Sequence, residues 1–125
     1  MVRYGMVKAG GAPLLAVRFF RQDASGSEPV RRWLQGLPSR EKKSIGGDIR
    51  AVQFGWPLGL PLVDHLKGDI WEVRTKLENR IARVLFTVEG NAMVLLHGFI
   101  KKDEKTPKPD LELAQDRLRR TRGHK

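Results

Sequence analysis

The chain contains no cysteine among its 125 residues. It therefore has no disulfide scaffold, thiolate metal site or cysteine nucleophile, which is compatible with a reducing cytosol. Histidine is also scarce: His65, His97 and His124 show no HxH or HxxxH spacing, and acidic residues do not cluster beside them. A glycine-rich phosphate loop is missing too, because Gly10-Gly11 lacks the following lysine and helix start. We expect no metal and no small-molecule cofactor.

Long apolar runs are absent as well. Nothing approaches the ~20 apolar residues of a membrane span, and the short apolar stretch Ala9–Val17 is interrupted by glycine and proline, so it does not read as a signal peptide. These features predict a soluble cytoplasmic protein without membrane contact. The length fits one domain, and we expect a flexible leader at 1–13, a domain at 14–120 and a basic tail at 121–125.

Positive charge is what the chain has in excess. It carries 24 Lys and Arg against 14 Asp and Glu, with a net charge of +10 and a sequence pI of about 10.5. Such a balance favours attraction to nucleic acid or an anionic membrane. An acidic protein partner would satisfy the same electrostatics, so charge alone does not choose among these partners.

Three consecutive β-strands are predicted in the second half of the chain. Ile70–Leu77, Arg80–Val88 and Met93–Ile100 are rich in β-branched and aromatic residues and are bounded by turn signals. Glu78-Asn79 and Glu89-Gly90-Asn91 supply the residues that tight hairpins need for positive φ. The simplest topology for these strands is an antiparallel meander.

The remaining elements surround this meander. Leu14–Phe20 predicts a first strand, and helices are expected to open near Ser27 and Ser39, each able to cap with its side chain. Gly55–Asp64 reads as a proline- and glycine-rich loop, and Asp110 can cap a final helix. The predicted order is β-α-α-β-β-β-α, an α+β fold with a small, mostly antiparallel twisted sheet, two N-terminal helices and one C-terminal helix.

Cations gather on one predicted face of the sheet. Alternation in the first strand puts Glu72, Arg74 and Lys76 together, and Arg83 interrupts the next strand. Three lysines follow the third strand: Lys101, Lys102 and Lys105. These cations would form a cationic basin, although the polar face of a half-covered sheet is often simply solvated. His97 alternates with Met93, Leu95 and Phe99, as a partly buried core histidine would.

The motifs IWEVR, NRIARVLF, MVLLHGFIKK and KTP occur together here. In combination they resemble the phage-derived Gp49-like branch of the RelE/HigB toxins of bacterial type II toxin–antitoxin systems, from about Leu14 to Arg120. The resemblance implies a RelE-like fold and an endoribonuclease that cuts mRNA without a metal, usually on the ribosome, and so inhibits translation. It also implies a cognate antitoxin as partner, often a helix-turn-helix protein. Asp103-Glu104 departs from the Thr-Gln or Ser-Gln that the family commonly has there.

RNA cleavage needs little from a protein beyond charge and proton transfer. The 2′-OH of RNA is the nucleophile, so the protein must align it, remove its proton, stabilise a phosphorane-like charge and protonate the 5′-oxygen. A crowded cationic site lowers the pKa of a lysine, so Lys101 or Lys102 could take the proton. A neighbouring lysine or His97 could return one.

The resemblance also implies roles for individual residues. Arg74 and Arg83 resemble phosphate-positioning or transition-state groups, and the three lysines resemble the cluster that approaches the scissile phosphate. Many relatives use a tyrosine near the end of the chain, whereas the only tyrosine here is Tyr4. The catalytic candidates are Lys101, Lys102, Lys105, Arg83, Arg74 and His97, and the RNA-binding candidates are Arg80, Lys76 and Lys108.

Two other functions fit the same scaffold. A gyrase-inhibiting branch of these toxins blocks its target by binding, without catalysis, and function does not follow from fold. An inactive remnant that is bound by its antitoxin is the other alternative.

Overall fold

The computed structural model describes residues 11–102 and 104–123. Most of the expected leader, with Tyr4, lies outside these residues, as do Asp103 and the tail residues His124 and Lys125. The described residues form three helices and five strands. In chain order they are β1 (Ala16–Phe19), α1 (Pro29–Gln35), α2 (Ser39–Gly55), β2 (Val63–Lys67), β3 (Ile70–Leu77), β4 (Arg80–Glu89), β5 (Ala92–Lys101) and α3 (Lys108–Thr121).

The predicted α+β fold class is confirmed. The strands form one sheet in the order β1-β5-β4-β3-β2, in which β1 is parallel to β5 and every other pair is antiparallel. Both predicted hairpins are present, with positive φ angles of 62° at Asn79 and 62° at Gly90. One strand was not predicted. β2 occupies the end of the segment read as a loop and its continuation, and it pairs with β3 at the edge of the sheet.

The expected caps Ser27 and Ser39 lie one residue from the positions that precede α1 and α2, and Asp110 lies three residues after the position that precedes α3. None of these three side-chain caps is formed. The positions before the three helices are Glu28, Pro38 and Pro107, and none of them makes a side-chain cap hydrogen bond. Proline fixes an extended backbone before α2 and α3, and each helix starts directly after it. The Asp110 carboxylate is instead occupied by contacts with β5.

Helices α1 and α2 cover one face of the sheet. Their fully buried side chains, such as Ile45 and Val52, pack with Val84 and Phe86 of β4 in the larger core. Trp33 of α1 lies directly against Gly98 of β5, where a Cβ atom would stand 2.4 Å from two carbons of the indole ring. The absence of a side chain at this position thus lets the helix approach the strand.

Helix α3 packs on the opposite face, with Ala114 against a smaller core that includes Leu85 and Phe99. A register shift in the β4–β5 pair follows Leu85, which pairs with His97, whereas Phe86 pairs with Leu95. The extra residue reverses the alternation, a bulge effect. His97 therefore lies on the α3 side with Phe99, as the alternation from the sequence predicted. It does not share the α1–α2 side with Met93 and Leu95, and that part of the prediction was wrong.

Candidate active site

The charged face predicted for β3 is real, and its centre is buried. Arg74 of β3 and Arg83 of β4 are paired across the two strands, and Glu72 is paired with Leu85. Arg83 and Glu72 are both 0% exposed, whereas the Arg74 side chain is 18% exposed. Burying charged groups is costly unless they are paired or hydrogen-bonded, so their partners define the site.

Those partners lie between β5 and α3, in residues 104–107, here called the anchored segment. Arg83 Nη2 donates a hydrogen bond to the Glu104 carbonyl oxygen at 3.1 Å, and Arg74 Nη1 lies 3.4 Å from the same oxygen. Thr106 Oγ1 donates to Glu72 Oε1 at 2.5 Å, and the other carboxylate oxygen of Glu72 lies 3.2 Å from Arg74 Nη1. Two strands therefore hold the segment through both its backbone and a side chain.

A cleft of about 740 Å³ opens beside the anchored segment. Its cations are Arg74, Lys76 and Lys105, contributed by β3 and by the segment. The remaining lining residues are Asp48, Leu60, Pro61, Leu62, Asp64, Ile81 and Glu104. Its volume falls in the range of ligand pockets, and its lining combines apolar side chains with three cations and three acidic residues. The cations can contact phosphates and the apolar side chains can contact bases, as binding of a nucleotide chain requires.

His97, Lys101 and Asp110 form a second polar cluster where β5 meets α3. His97 Nε2 lies 2.7 Å from one Asp110 carboxylate oxygen, and Lys101 Nζ lies 3.1 Å from the other. Burial lowers the pKa of His97 below 6.5, although the hydrogen bond to Asp110 acts in the opposite direction. Burial opposes ionisation of Asp110, but the hydrogen bonds from His97 and Lys101 outweigh it and lower the pKa of Asp110 below 3.8. At neutral pH the histidine is thus neutral and donates from Nε2.

The remaining sequence candidates are more dispersed. Arg80 pairs with Glu41 of α2 and lines another cleft, of about 380 Å³, that also includes Arg40 and Lys76. Lys76 thus borders both clefts. Lys108 is exposed at the start of α3, and Lys102 is exposed directly after β5. Neither lines the two clefts described here.

The structure therefore brings together part of the predicted set. Arg74, Lys76 and Lys105 share one cleft, whereas Arg83 lies beneath the anchored segment without solvent exposure. Sequence reasoning missed the contribution of Thr106. It placed Glu72 on a polar face and named it as an alternative ion-pair partner of the arginines, but it did not predict the contact between Glu72 and Thr106. The signal was present in the motifs IWEVR and KTP, which contain these two residues, but nothing local indicates that they meet.

Metal-ligating side chains do not gather within residues 11–102 and 104–123, where no group of three or more His, Asp or Glu could hold an ion. None of the helices in that part of the chain is long and apolar enough to cross a membrane.

Comparison with known proteins gives two findings. The model of a family described as phage-derived Gp49-like proteins matches residues 32–119. Proteins named "Probable endoribonuclease HigB1" from two strains of Mycobacterium tuberculosis are 31% identical to this chain over 100 residues. The aligned region covers 80% of this chain and 79% of each relative.

Proposed function

The chain belongs to the phage-derived Gp49-like family of RelE/HigB-type toxins, and on that basis we propose that it is an endoribonuclease that cuts mRNA and thereby inhibits translation. The name of the HigB1 relatives supports this activity. The single observation in this chain that carries the proposal is the cleft beside the anchored segment, where Arg74, Lys76 and Lys105 lie together with apolar side chains. Three acidic residues, Asp48, Asp64 and Glu104, share the lining, so the proposal rests on the placement of the three cations and not on an excess of positive charge there. This surface suits a single-stranded polyanion.

We assign the stabilisation of negative charge to Arg74 and Lys105. Both line the cleft, and Arg74 is held in place by Glu72, so its guanidinium is preorganised. Fixed cations aimed at the developing phosphorane charge lower the barrier without reorganisation during the reaction. Because the nucleophile belongs to the RNA, this mechanism needs no metal ion.

Proton transfer is assigned to the end of β5, where Lys101 and Lys102 come shortly before the anchored segment in the chain. Asp110 engages Lys101 and His97 together, which fixes their geometry relative to α3. One lysine of the pair, in its neutral form, would accept the 2′-OH proton as the 2′-oxygen bonds to phosphorus. The neighbouring lysine as an ammonium, or His97 after it has taken up a proton, would protonate the 5′-oxygen as its bond to phosphorus breaks. Lys76, Arg80 and Lys108 extend the cationic surface along which the rest of the RNA strand would bind.

Family membership also bears on partners and place of action. Toxins of this type are paired with a cognate antitoxin, and we propose one for this chain, of the helix-turn-helix kind. We further propose that the mRNA is cut on the ribosome in the cytoplasm. An antitoxin that covers the cleft would block RNA by occupying the same cations.

The proposal is tested by a short pulse of induced expression without a partner protein, followed by sequencing of RNA 5′ ends. We expect growth arrest, a halt in translation and new 5′-OH ends within transcripts. The matched control is Lys105→Ala, which should accumulate to the same level and produce few new ends. If growth continues while folded protein accumulates, the toxin activity is refuted. Arrest without new RNA ends would instead favour a toxin that acts by binding.

A further inference from the structure

Lys105 lies between two residues that are hydrogen-bonded to the sheet. The residue before it, Glu104, accepts hydrogen bonds from two arginines through its carbonyl oxygen, and the residue after it, Thr106, donates to Glu72. Its own side chain is exposed and lines the cleft. The backbone is therefore fixed on both sides of a side chain that faces solvent.

Two of the side chains that bind the segment, Glu72 and Arg83, are fully buried. Each is 0% exposed, and buried charged side chains contribute little or nothing to stability compared with apolar residues of similar size. Two adjacent strands nevertheless contribute these side chains, and both side chains are directed at one short segment. Stability alone does not explain this arrangement, whereas the need for a fixed loop geometry does.

We propose that Glu72 and Thr106 are positioning residues that hold Lys105 in its reactive place at the cleft. This inference rests on the proposed function, because it assigns Lys105 a task in RNA cleavage. Neither residue touches the substrate. Glu72 fixes the segment through the Thr106 hydroxyl and fixes Arg74 through its second oxygen, so one buried carboxylate aligns two cations of the cleft.

The variant that tests the anchor is Thr106→Val, which keeps the shape of the side chain and removes the hydroxyl. Its matched control is Thr121→Val, since Thr121 is also partly buried and donates one hydrogen bond, to the Arg117 carbonyl oxygen at 2.9 Å in α3. Thr106→Ser keeps the donor and should behave as the wild type. Thr106→Ala leaves room for water beside Glu72 and serves as a second variant should the valine protein fail to fold.

Backbone NMR order parameters measure the anchoring without any reference to activity. We expect the Lys105 amide to be rigid in the wild type and in Thr121→Val, with an order parameter of about 0.85, and to fall below about 0.6 in Thr106→Val and Thr106→Ala. Wild-type values at Lys105 that are already low, or that do not change in these variants, would overturn the proposal.

A double-mutant cycle then tests whether Thr106 acts through Lys105. Cleavage of one defined mRNA on programmed ribosomes should slow roughly ten- to a hundredfold in Thr106→Val, mostly in kcat, because a small misplacement of a catalytic group has a large effect on rate. The Lys105→Ala/Thr106→Val protein should be no slower than Lys105→Ala alone. Fully multiplicative losses would refute a positioning role.

The two proposals can fail separately. If the Lys105 order parameter falls in Thr106→Val as expected but the wild-type chain cuts no RNA, the anchoring by Thr106 is supported and the proposed function is refuted. If the wild type cuts RNA and Thr106→Val cuts it equally well, the positioning role is refuted and the proposed function is supported.

Discussion

Cations at the cleft differ in burial, and this difference separates catalytic from structural effects. Lys105 is exposed, so Lys105→Ala should reduce RNA cleavage by roughly ten- to a thousandfold, the usual loss when a preorganised charge is removed. An exposed cation contributes under about 1 kcal/mol to stability, so the melting temperature should not change. Lys43→Ala, on the exposed surface of α2, is the control and should change neither quantity. A cleavage rate unaffected by Lys105→Ala would remove this lysine from the site.

Arg83 should behave in the opposite way. The sequence grouped it with the lysines, but its side chain is fully buried and donates to Glu104. Arg83→Ala should lower the free energy of unfolding by about 2–4 kcal/mol, because it leaves a cavity and removes the shorter of the two hydrogen bonds that the Glu104 carbonyl oxygen accepts. Urea denaturation measures this loss. If Arg83→Ala abolishes cleavage and leaves the urea midpoint unchanged, Arg83 contacts RNA directly and the anchored segment must open to admit it.

His97 makes stability depend on pH. Its pKa is lowered in the folded protein, so the unfolded chain binds more protons as the pH falls through 6.5, and this contribution to stability is present above that value and is lost below it. We expect the melting temperature to fall between pH 7 and pH 5. In His97→Gln the fall should be smaller, because the side chain no longer titrates. An identical fall in both proteins would show that His97 is not responsible.

The sequence predicted those helices and hairpins whose positions depend on neighbouring residues in the chain. The hairpins at Asn79 and Gly90 follow from residues that accept positive φ, and the helix starts follow from proline and apolar spacing. Strand β2 was not predicted, because it is a short edge strand whose polar residues do not alternate with a clear apolar face. The bulge before His97 was not predicted, because it depends on how β5 pairs with β4. The burial of Arg83 was not predicted either, because residues distant in the sequence cover it.

The contact of α1 with β5 depends on one glycine. In Gly98→Ala the added methyl group would meet the Trp33 ring at 2.4 Å, so we expect a loss of about 1–3 kcal/mol from overpacking. Gly46→Ala, within α2, is the control, since a Cβ there meets nothing within 4 Å and alanine favours helix by about 1 kcal/mol. Urea midpoints should therefore shift in opposite directions. A tolerated Gly98→Ala would mean that Trp33 can move away without loss.

For the whole molecule, the net charge of +10 should control association with an antitoxin. We expect a partner that places an acidic segment over or beside the cleft, with an association rate that falls as ionic strength rises, because screening shortens the reach of the attraction. Stopped-flow mixing over a series of salt concentrations measures this dependence. A rate that does not respond to salt would contradict electrostatic steering.

Strand β5 lies between β1 and β4, although it is the last strand of the chain. β1 pairs with β5 across most of the sequence, from Ala16 to Ala92, so the sheet cannot be assembled in the order in which a ribosome synthesises it. Among the described strands, β1 pairs only with β5, so this pairing waits until β5 has left the exit tunnel. Lys102 and Lys105 emerge later still, so we expect the nascent chain to be harmless to the ribosome that makes it until these residues have left the tunnel.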